Sequence, residues 1–544
     1  MNVEEAVGAA LVRHGVWQVF GVVGSGNFAV TNAMVAGGAR FVAARHEGGA
    51  ATMADAYARM SGEVAALSVH QGCGLTNAMT GITEAAKSRT PLVVLAAEAT
   101  SPRSNFAVDQ TALATAVGAV PMRVTSAATA VATALVAVAT AAHQRRVVVL
   151  NLPLDVQAQP LPEVPEAHMP AQPLAPPVTA DDLARLVAAL RATRRPVFVA
   201  GRGARGAGCR RALEELAERC GALLATSAVA KGLFHDNPWS LDVSGGFASP
   251  LAAELISGAD LVVGWGCALN MWTMRHGRLI ADDAVVVQVD VDPDAFGAQR
   301  PITFGVCGDV RAVAVAAAAE LDGGAPGYRT PEVRAAIAER IRWRDVPFDD
   351  RSGNGFVDPR ALTSALDDLL PAERLVAVDS GNFMGYPSMF LEVPDEFGFC
   401  FTQAFQSIGL GLATAIGAAL ARPDRLPVAA LGDGGALMAA SELETVARLG
   451  LPMVVVVYDD AAYGAEVHHF GPDGADLSTV RFPETDLAAI ARGYGFSALT
   501  ARSVADLAPV AEWVAGPRAA PLLIDAKVTR DEPSWWLEEA FRGH

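Results

Sequence analysis

Leu426-Pro427-Val428-Ala429-Ala430-Leu431-Gly432-Asp433-Gly434-Gly435 is an apolar run that closes on a glycine-flanked acid. Met453-Val454-Val455-Val456-Val457-Tyr458-Asp459-Asp460 is a second such run, closing on two acids. The interval from Asp433 to Asp460 is that of one strand–helix–strand unit, so both acids fall at carboxyl ends of strands, where open α/β sheets bind ligands. Ser441 and Glu444 are spaced as a capping box for the intervening helix. Both runs are continuously apolar rather than alternating, which predicts strands covered on both faces and hence parallel pairing.

The same rhythm extends outward in both directions. Runs such as Val64–Val69, Leu92–Ala96, Val147–Leu150, Val197–Ala200, Leu261–Val263, Val285–Val289 and Leu375–Val378 alternate with Ala/Leu-rich helical stretches. The fold class is α/β, with three consecutive doubly wound parallel-sheet domains. Two seams divide them. Pro153 to Pro177 is proline-rich and reads as an extended linker. About Leu321 to Val357 mixes glycine turns with a charged helix over Val333–Arg344. The expected units are 1–170, 180–325 and 355–544; at ~150 residues per domain, 544 residues suit three or four.

Composition narrows the function. Lys and Arg number 42 against 59 Asp and Glu, a net charge of −17, which argues against a nucleic-acid or anionic-membrane binder. The six cysteines never form a Cys-x-x-Cys pair, so no zinc knuckle or disulfide framework is indicated. The N-terminus has glutamates where a leader needs positive charge. Ala127–Ala142 contains only Ala, Val, Thr and Leu but is shorter than the ~20 residues of a membrane span; it reads as a helix packed on a sheet, with Ser126 able to cap it. A cytoplasmic location is expected.

Glycines around Asp433 let backbone approach a diphosphate, and the following helix start favours negative charge. Two carboxylates with phosphate oxygens suit Mg²⁺, which takes few protein ligands. In the middle unit, Gly201-Arg202-Gly203-Ala204-Arg205-Gly206 is formally a dinucleotide fingerprint, but the ribose-binding acid expected ~20 residues on is missing, which argues against NAD.

Gly432-Asp433-Gly434, followed by Asp459-Asp460-Ala461-Ala462-Tyr463-Gly464, resembles the thiamine-diphosphate motif of the acetolactate synthase and pyruvate/benzoylformate decarboxylase superfamily. The resemblance implies that Asp433, Asp460 and the carbonyl of Ala462 hold Mg²⁺ against the diphosphate, with Gly432, Gly434, Gly435 and Tyr463 around the cofactor. The family's usual acid-amide pair is Asn-Asn or Asn-Asp; Asp459 departs from it and is expected to add charge beside the metal. Residues 45–59 are similar to the family segment that carries its activating glutamate, here Glu47, whose carboxyl bonds the aminopyrimidine and favours the tautomer that generates the ylid. In Ser68–Asn77, Gly72-Cys73-Gly74 stands where relatives have Gly-Pro-Gly. His70 matches a histidine of benzoylformate decarboxylases and either moves protons or packs. Gln110 aligns with an active-site glutamine of acetolactate synthases, although Asp109 replaces the phenylalanine before it. Ser25 is either a substrate contact or a turn residue.

Residues 403–419 resemble the segment that bends the cofactor, with Ile408 as the wedge and the Gln406 carbonyl as acceptor for the exocyclic amine. Gly381 and Asn382 match a diphosphate-contacting turn. Glu466 corresponds to an active-site acid of pyruvate decarboxylases. His468 and His469 either line the substrate mouth or belong to a solvated helix face. The resemblance spans the chain and implies pyrimidine-binding, central and diphosphate-binding domains. The site lies between subunits of a homodimer or homotetramer, with Glu47 from one chain and Asp433 and Asp460 from the other. FAD is compatible with the central domain but is not predicted. The expected partners are a small-molecule 2-oxo acid and its acceptor, and the expected reaction is decarboxylation with carboligation, as in acetolactate synthase. The alternatives are a non-ligating decarboxylase of benzoylformate type and a silent structural or regulatory paralogue, the latter opposed by the presence of Glu47, Asp433 and Asp460.

Overall fold

Apolar runs that lack alternation can be buried only if helices cover both faces of their sheet. The computed structural model, which describes residues 1–161, 167–173, 175–324 and 326–540, places them in three six-stranded sheets whose pairings are all parallel. The first holds β1 (Gln18–Gly21), β2 (Arg40–Ala43), β3 (Ala65–Val69), β4 (Leu92–Glu98), β5 (Val120–Arg123) and β6 (Val147–Pro153), ordered β2-β1-β3-β4-β6-β5. The second holds β7 (Pro196–Ala200), β8 (Leu223–Thr226), β9 (Ser240–Val243), β10 (Leu261–Trp265), β11 (Val285–Asp290) and β12 (Phe304–Cys307), ordered β12-β11-β10-β7-β8-β9. That is the doubly wound dinucleotide-fold order. The third holds β13 (Arg374–Val378), β14 (Phe399–Phe401), β15 (Leu426–Gly432), β16 (Val454–Asp459), β17 (Ser497–Ala501) and β18 (Leu522–Lys527), ordered β14-β13-β15-β16-β18-β17. The first and third sheets thus share one strand order.

These twin sheets meet through equivalent helices. Glu47–Ser61 follows β2 and Gly411–Ala421 follows β14, and the two helices pack on each other. One continuous apolar core runs through both units, from Phe20, Met53 and Leu67 to Ile416 and Leu431. Contact is close because small residues line it: a Cβ at Gly417 would lie 2.1 Å from the Met53 carbonyl oxygen. On the opposite flank, a Cβ at Gly81 would lie 2.6 Å from Ala51. Arg59 ties the units further, donating to the Phe401 carbonyl at 2.9 Å while paired with Asp55 at 2.6 Å and Glu84 at 2.7 Å.

Several local expectations change. The proline-rich seam contains a short helix, Leu154–Gln157, and its next residues pair with the N-terminus, Val3 N–H donating to Gln159 and Leu161 N–H to Met1. Positions 162–166 and 174 of that seam lie outside the described residues. Ala127–Gln144 is helical, long and apolar enough to cross a membrane and half buried, packed on the Val3–Arg13 helix and on β6. Ser126 makes no cap bond there; its hydroxyl meets that of Thr129. The charged helix is Pro331–Arg340, capped by Thr330, followed by a 3₁₀ turn over Trp343–Asp345. The fingerprint glycines of the middle unit serve packing: a Cβ at Gly201 would lie 2.4 Å from the Gly266 carbonyl, and one at Gly203 2.7 Å from the Gly266 Cα.

Gly417→Ala is expected to cost ~1–3 kcal/mol by overpacking. Gly493→Ala, where nothing lies within 4 Å, should leave the melting temperature nearly unchanged. Calorimetric melting of both variants beside the wild type checks the contrast.

Candidate active site

Parallel strands β13, β15 and β16 are neighbours, so the turns after them converge at one sheet edge. They surround a cavity of about 500 Å³. Its lining includes Gly381, Asn382, Gln406, Ile408, Gly432, Asp433, Gly434, Gly435, Asp460, Ala462, Tyr463 and Glu466. His468 and His469 are half-buried on the next helix and do not line it.

Asp433 opens a six-residue helix, Asp433–Met438, and Asp460 follows the end of β16. Among the described residues, no lysine or arginine is bonded to either carboxylate. Burial pushes Asp433 up to about 8, with the charges of Asp460 and Asp459 adding to it. Burial likewise pushes Asp460 up to about 7, against the Ala462 N–H that it accepts at 3.2 Å. Among the described residues, no three His, Cys, Asp or Glu side chains group as a metal site, so a cation here would rest on two carboxylates and backbone. The turn leaves no room for larger residues: a Cβ at Gly434 would lie 2.8 Å from the Tyr463 ring, and one at Gly464 2.2 Å from Asp460 Oδ2.

Asp459 adds its charge to this corner, raising both Asp433 and Asp460, while it is itself paired. Lys527, its register partner on β18, pairs with it and also lies 3.1 Å from Asp525, while Ala461 N–H donates to Asp459 Oδ1 at 2.9 Å. Burial disfavours the ammonium, yet these two acids hold Lys527 above the ordinary lysine range. The sequence reading missed Lys527, although Asp525-Ala526-Lys527 places both charges on one face of a strand.

Asp379 lies just past the end of β13. It is buried without a cation and accepts N–H groups of Ser380 at 2.8 Å, Gly409 at 3.0 Å and Leu410 at 3.2 Å. Burial pushes it up to about 6. It thereby fixes the turn that follows Gln406 and Ile408; Gln406 itself sits at φ 61°, a costly conformation for a residue with a Cβ. Ser441 makes no cap bond, and Glu444 instead pairs with Arg45 at 2.7 Å. The helix after Asp433 breaks, and Glu442 starts a second segment, Glu442–Leu449. The C-terminal segment closes over Asn382, whose side chain accepts from Ser534 N–H at 3.0 Å and whose carbonyl accepts from the Trp536 indole at 2.9 Å.

Other candidate residues gather at the equivalent edge of the first sheet. Glu47 begins its helix and accepts from Asn77 at 3.0 Å. Gly26 N–H donates to His70 Nδ1 at 3.2 Å, which assigns the ring proton of the neutral form to Nε2. Burial lowers the His70 pKa, with the Glu47 charge opposing. Ser25 is exposed on the turn before Gly26. Gln110 is buried, accepting from Gly72 N–H at 3.1 Å and donating to Asn151 at 2.8 Å, so both ends of its amide are engaged within the protein. None of these first-sheet residues lines the cavity of the third sheet.

Three sequence profiles match in this order: the thiamine pyrophosphate enzyme N-terminal TPP binding domain over residues 1–117, the central domain over 183–317 and the C-terminal TPP binding domain over 379–526. The chain belongs to the thiamine pyrophosphate enzyme family. It is a thiamine-diphosphate-dependent enzyme that forms or breaks C–C bonds. Among relatives, a sulfoacetaldehyde acetyltransferase of Rhodobacter capsulatus is 29% identical, covering 100% of this chain and 96% of its own length. A protein of Pseudomonas aeruginosa described as a probable 2-ketoarginine decarboxylase is 30% identical over 84% of this chain and 82% of its own. The acetolactate synthase large subunit of Parasynechococcus marenigrum is 28% identical over 96% and 87%. The N- and C-terminal profiles fall on the twin sheets, so thiamine-diphosphate binding is shared between units that carry different chemical groups.

Asp379, Asp433 and Asp460 all hold protons more tightly folded than unfolded, where an aspartate titrates near 3.8. The native state therefore binds the extra protons, and cation-free stability should fall as pH rises from about 4 to 8. Asp433→Asn should relieve ~1–3 kcal/mol of this cost, an advantage that grows between pH 5 and pH 8. Thermal unfolding in a chelator at both pH values measures it.

Proposed function

We propose that the chain is a Mg²⁺-assisted, homo-oligomeric enzyme that decarboxylates a 2-oxo acid and transfers the remaining acyl unit to an acceptor, as acetolactate synthase does. The observation that carries this reading is the division of one chain into two half-sites: Glu47 and His70 at the first sheet, Asp433 and Asp460 at the third. A second copy supplies to each half what its own chain lacks. Exposed apolar side chains beside both halves support such a contact, with Val23, Phe28, Phe106 and Val108 on one and Phe405, Leu437 and Met438 on the other.

The donor set fits the group. Asp433, Asp460 and the Ala462 carbonyl would hold Mg²⁺, whose charge lets two crowded carboxylates ionise together. Gly381, Asn382, Gly432, Gly434 and Gly435 would seat the diphosphate, with Tyr463 beside them, and Gln406 and Ile408 would hold the rings. When bound, thiamine diphosphate supplies a nucleophilic carbon and a sink for the electrons released from the carboxylate. Glu47 of the partner copy would hold the hydrogen bond to the pyrimidine nitrogen. Glu466, within the cavity, would exchange protons with the substrate, and Ser25 of the second copy would contact it; Gln110 would stiffen the turn at Gly72 from behind.

His70 favours ligation over simple protonation. Its lowered pKa leaves a neutral ring with one proton on Nε2, suited to orienting a substrate carbonyl rather than to delivering a proton to carbon. The second reading, a non-ligating decarboxylase, is supported by the decarboxylase relative.

Glu47→Gln is expected to lower turnover by ~10²-fold or more while cofactor stays bound after gel filtration in Mg²⁺; Asp433→Ala should lose that retention. Supplying pyruvate and benzoylformate separately tests the reaction. Acetolactate or another coupled product is expected, whereas aldehyde release alone would overturn ligation in favour of the second reading.

A further inference from the structure

Two buried glutamates outside the site hold the backbone of its two halves. Glu442 is 2% exposed, and its Oε1 accepts N–H groups of Arg45 at 2.9 Å and His46 at 3.1 Å, the residues just before Glu47. Its Oε2 accepts the Thr445 hydroxyl at 2.6 Å. A Cβ at Gly49 would lie 2.5 Å from the same Oε1, so the helix start is pressed against this carboxylate. Glu84, fully buried, does the reverse: its oxygens accept N–H groups of Ala404 at 3.0 Å and Phe405 at 2.6 Å, just before Gln406. Each glutamate lies on the helical segment after the third strand of one twin sheet. Each grips the loop after the second strand of the other.

We infer that Glu442 and Glu84 are reciprocal positioning residues that act on different active sites. The inference rests on the reading in which two copies complete the site. Glu442, in the half that carries Asp433, fixes the Glu47 that its chain lends to the partner's cavity. Glu84, in the half that carries Glu47, fixes Gln406 and Ile408 in its own chain's cavity. The internal joint of each chain thus carries one element of both sites. At Glu442 a neutral side chain of the same shape suffices, because both amides meet one oxygen, which a Gln carbonyl can replace, and the Gln NH₂ can donate to the Thr445 hydroxyl.

Glu442→Ala is expected to lower turnover ~10–100-fold through a small misplacement of Glu47, with cofactor retention unchanged. Glu442→Gln should restore turnover to within ~3-fold of the wild type. If the alanine chain does not fold, Glu442→Asp, which withdraws the oxygen by one methylene, takes its place. The deciding measurement uses mixed dimers purified through two tags. Paired with an Asp433→Ala chain, Glu442→Ala should give about half the wild-type turnover, because the one intact cation half receives an intact Glu47. Paired with a Glu47→Gln chain it should stay near the level of its own homodimer. Glu84→Ala should show the opposite pairing, rescued by Glu47→Gln and not by Asp433→Ala. Equal rescue, or no rescue, in both pairings would overturn the inference. A control dimer of Glu47→Gln with Asp433→Ala should reach half activity; an inactive control would instead overturn the two-copy site, and the inference with it.

Discussion

Asp433 and Asp460 hold two carboxylates at the ends of adjacent parallel strands, in a corner where burial disfavours both charges and, among the described residues, no cationic side chain is bonded to either. The rest of the molecule is arranged around that charge problem. The third sheet must be parallel for the two turns to meet, and its strands must be apolar on both faces because helices cover them. The glycines at 432, 434 and 435 are there because neighbours stand where side chains would go. The divalent ion proposed above, joined to a diphosphate, would resolve the crowding, so the feature that destabilises the empty protein would be the one that holds its cofactor.

Asp459 shows how a change beside such a site can be absorbed. The charge that replaces the usual amide is met by Lys527 across the β16–β18 register, and Asp525 shares the same ammonium. The turn keeps its shape because Asp459 still accepts the Ala461 N–H, as an amide oxygen would. Reading the loop by itself leaves out this lysine, which lies on another strand and is shared between two acids.

Local pattern made much of this protein legible. Continuous apolar runs announced the parallel sheets, and glycine-flanked acids at strand ends marked the cavity. Short half-exposed strands such as β2 and β5 carry little such pattern, and helix ends were misread where two caps competed. Ser441 and Glu444 have the spacing of a capping box, yet Glu444 is drawn to Arg45 and Ser441 makes no cap bond. Glu442, Glu84 and Lys527 could not be found by spacing, because their partners are contributed by distant parts of the chain and only folding brings them together. Gln110 illustrates the converse: its position matched a pattern, while both ends of its amide are occupied inside the first unit.

The shared strand order of the first and third sheets makes their loops counterparts: Ser25 with Ser380, Glu47 with Ile408, His70 with Asp433. One member of each pair has kept a group suited to protons or polar substrate, the other a group suited to anchoring and shape. A scaffold used twice has therefore specialised without either half becoming self-sufficient. Loss of one unit cannot be offset by its twin, because the two carry different chemical groups.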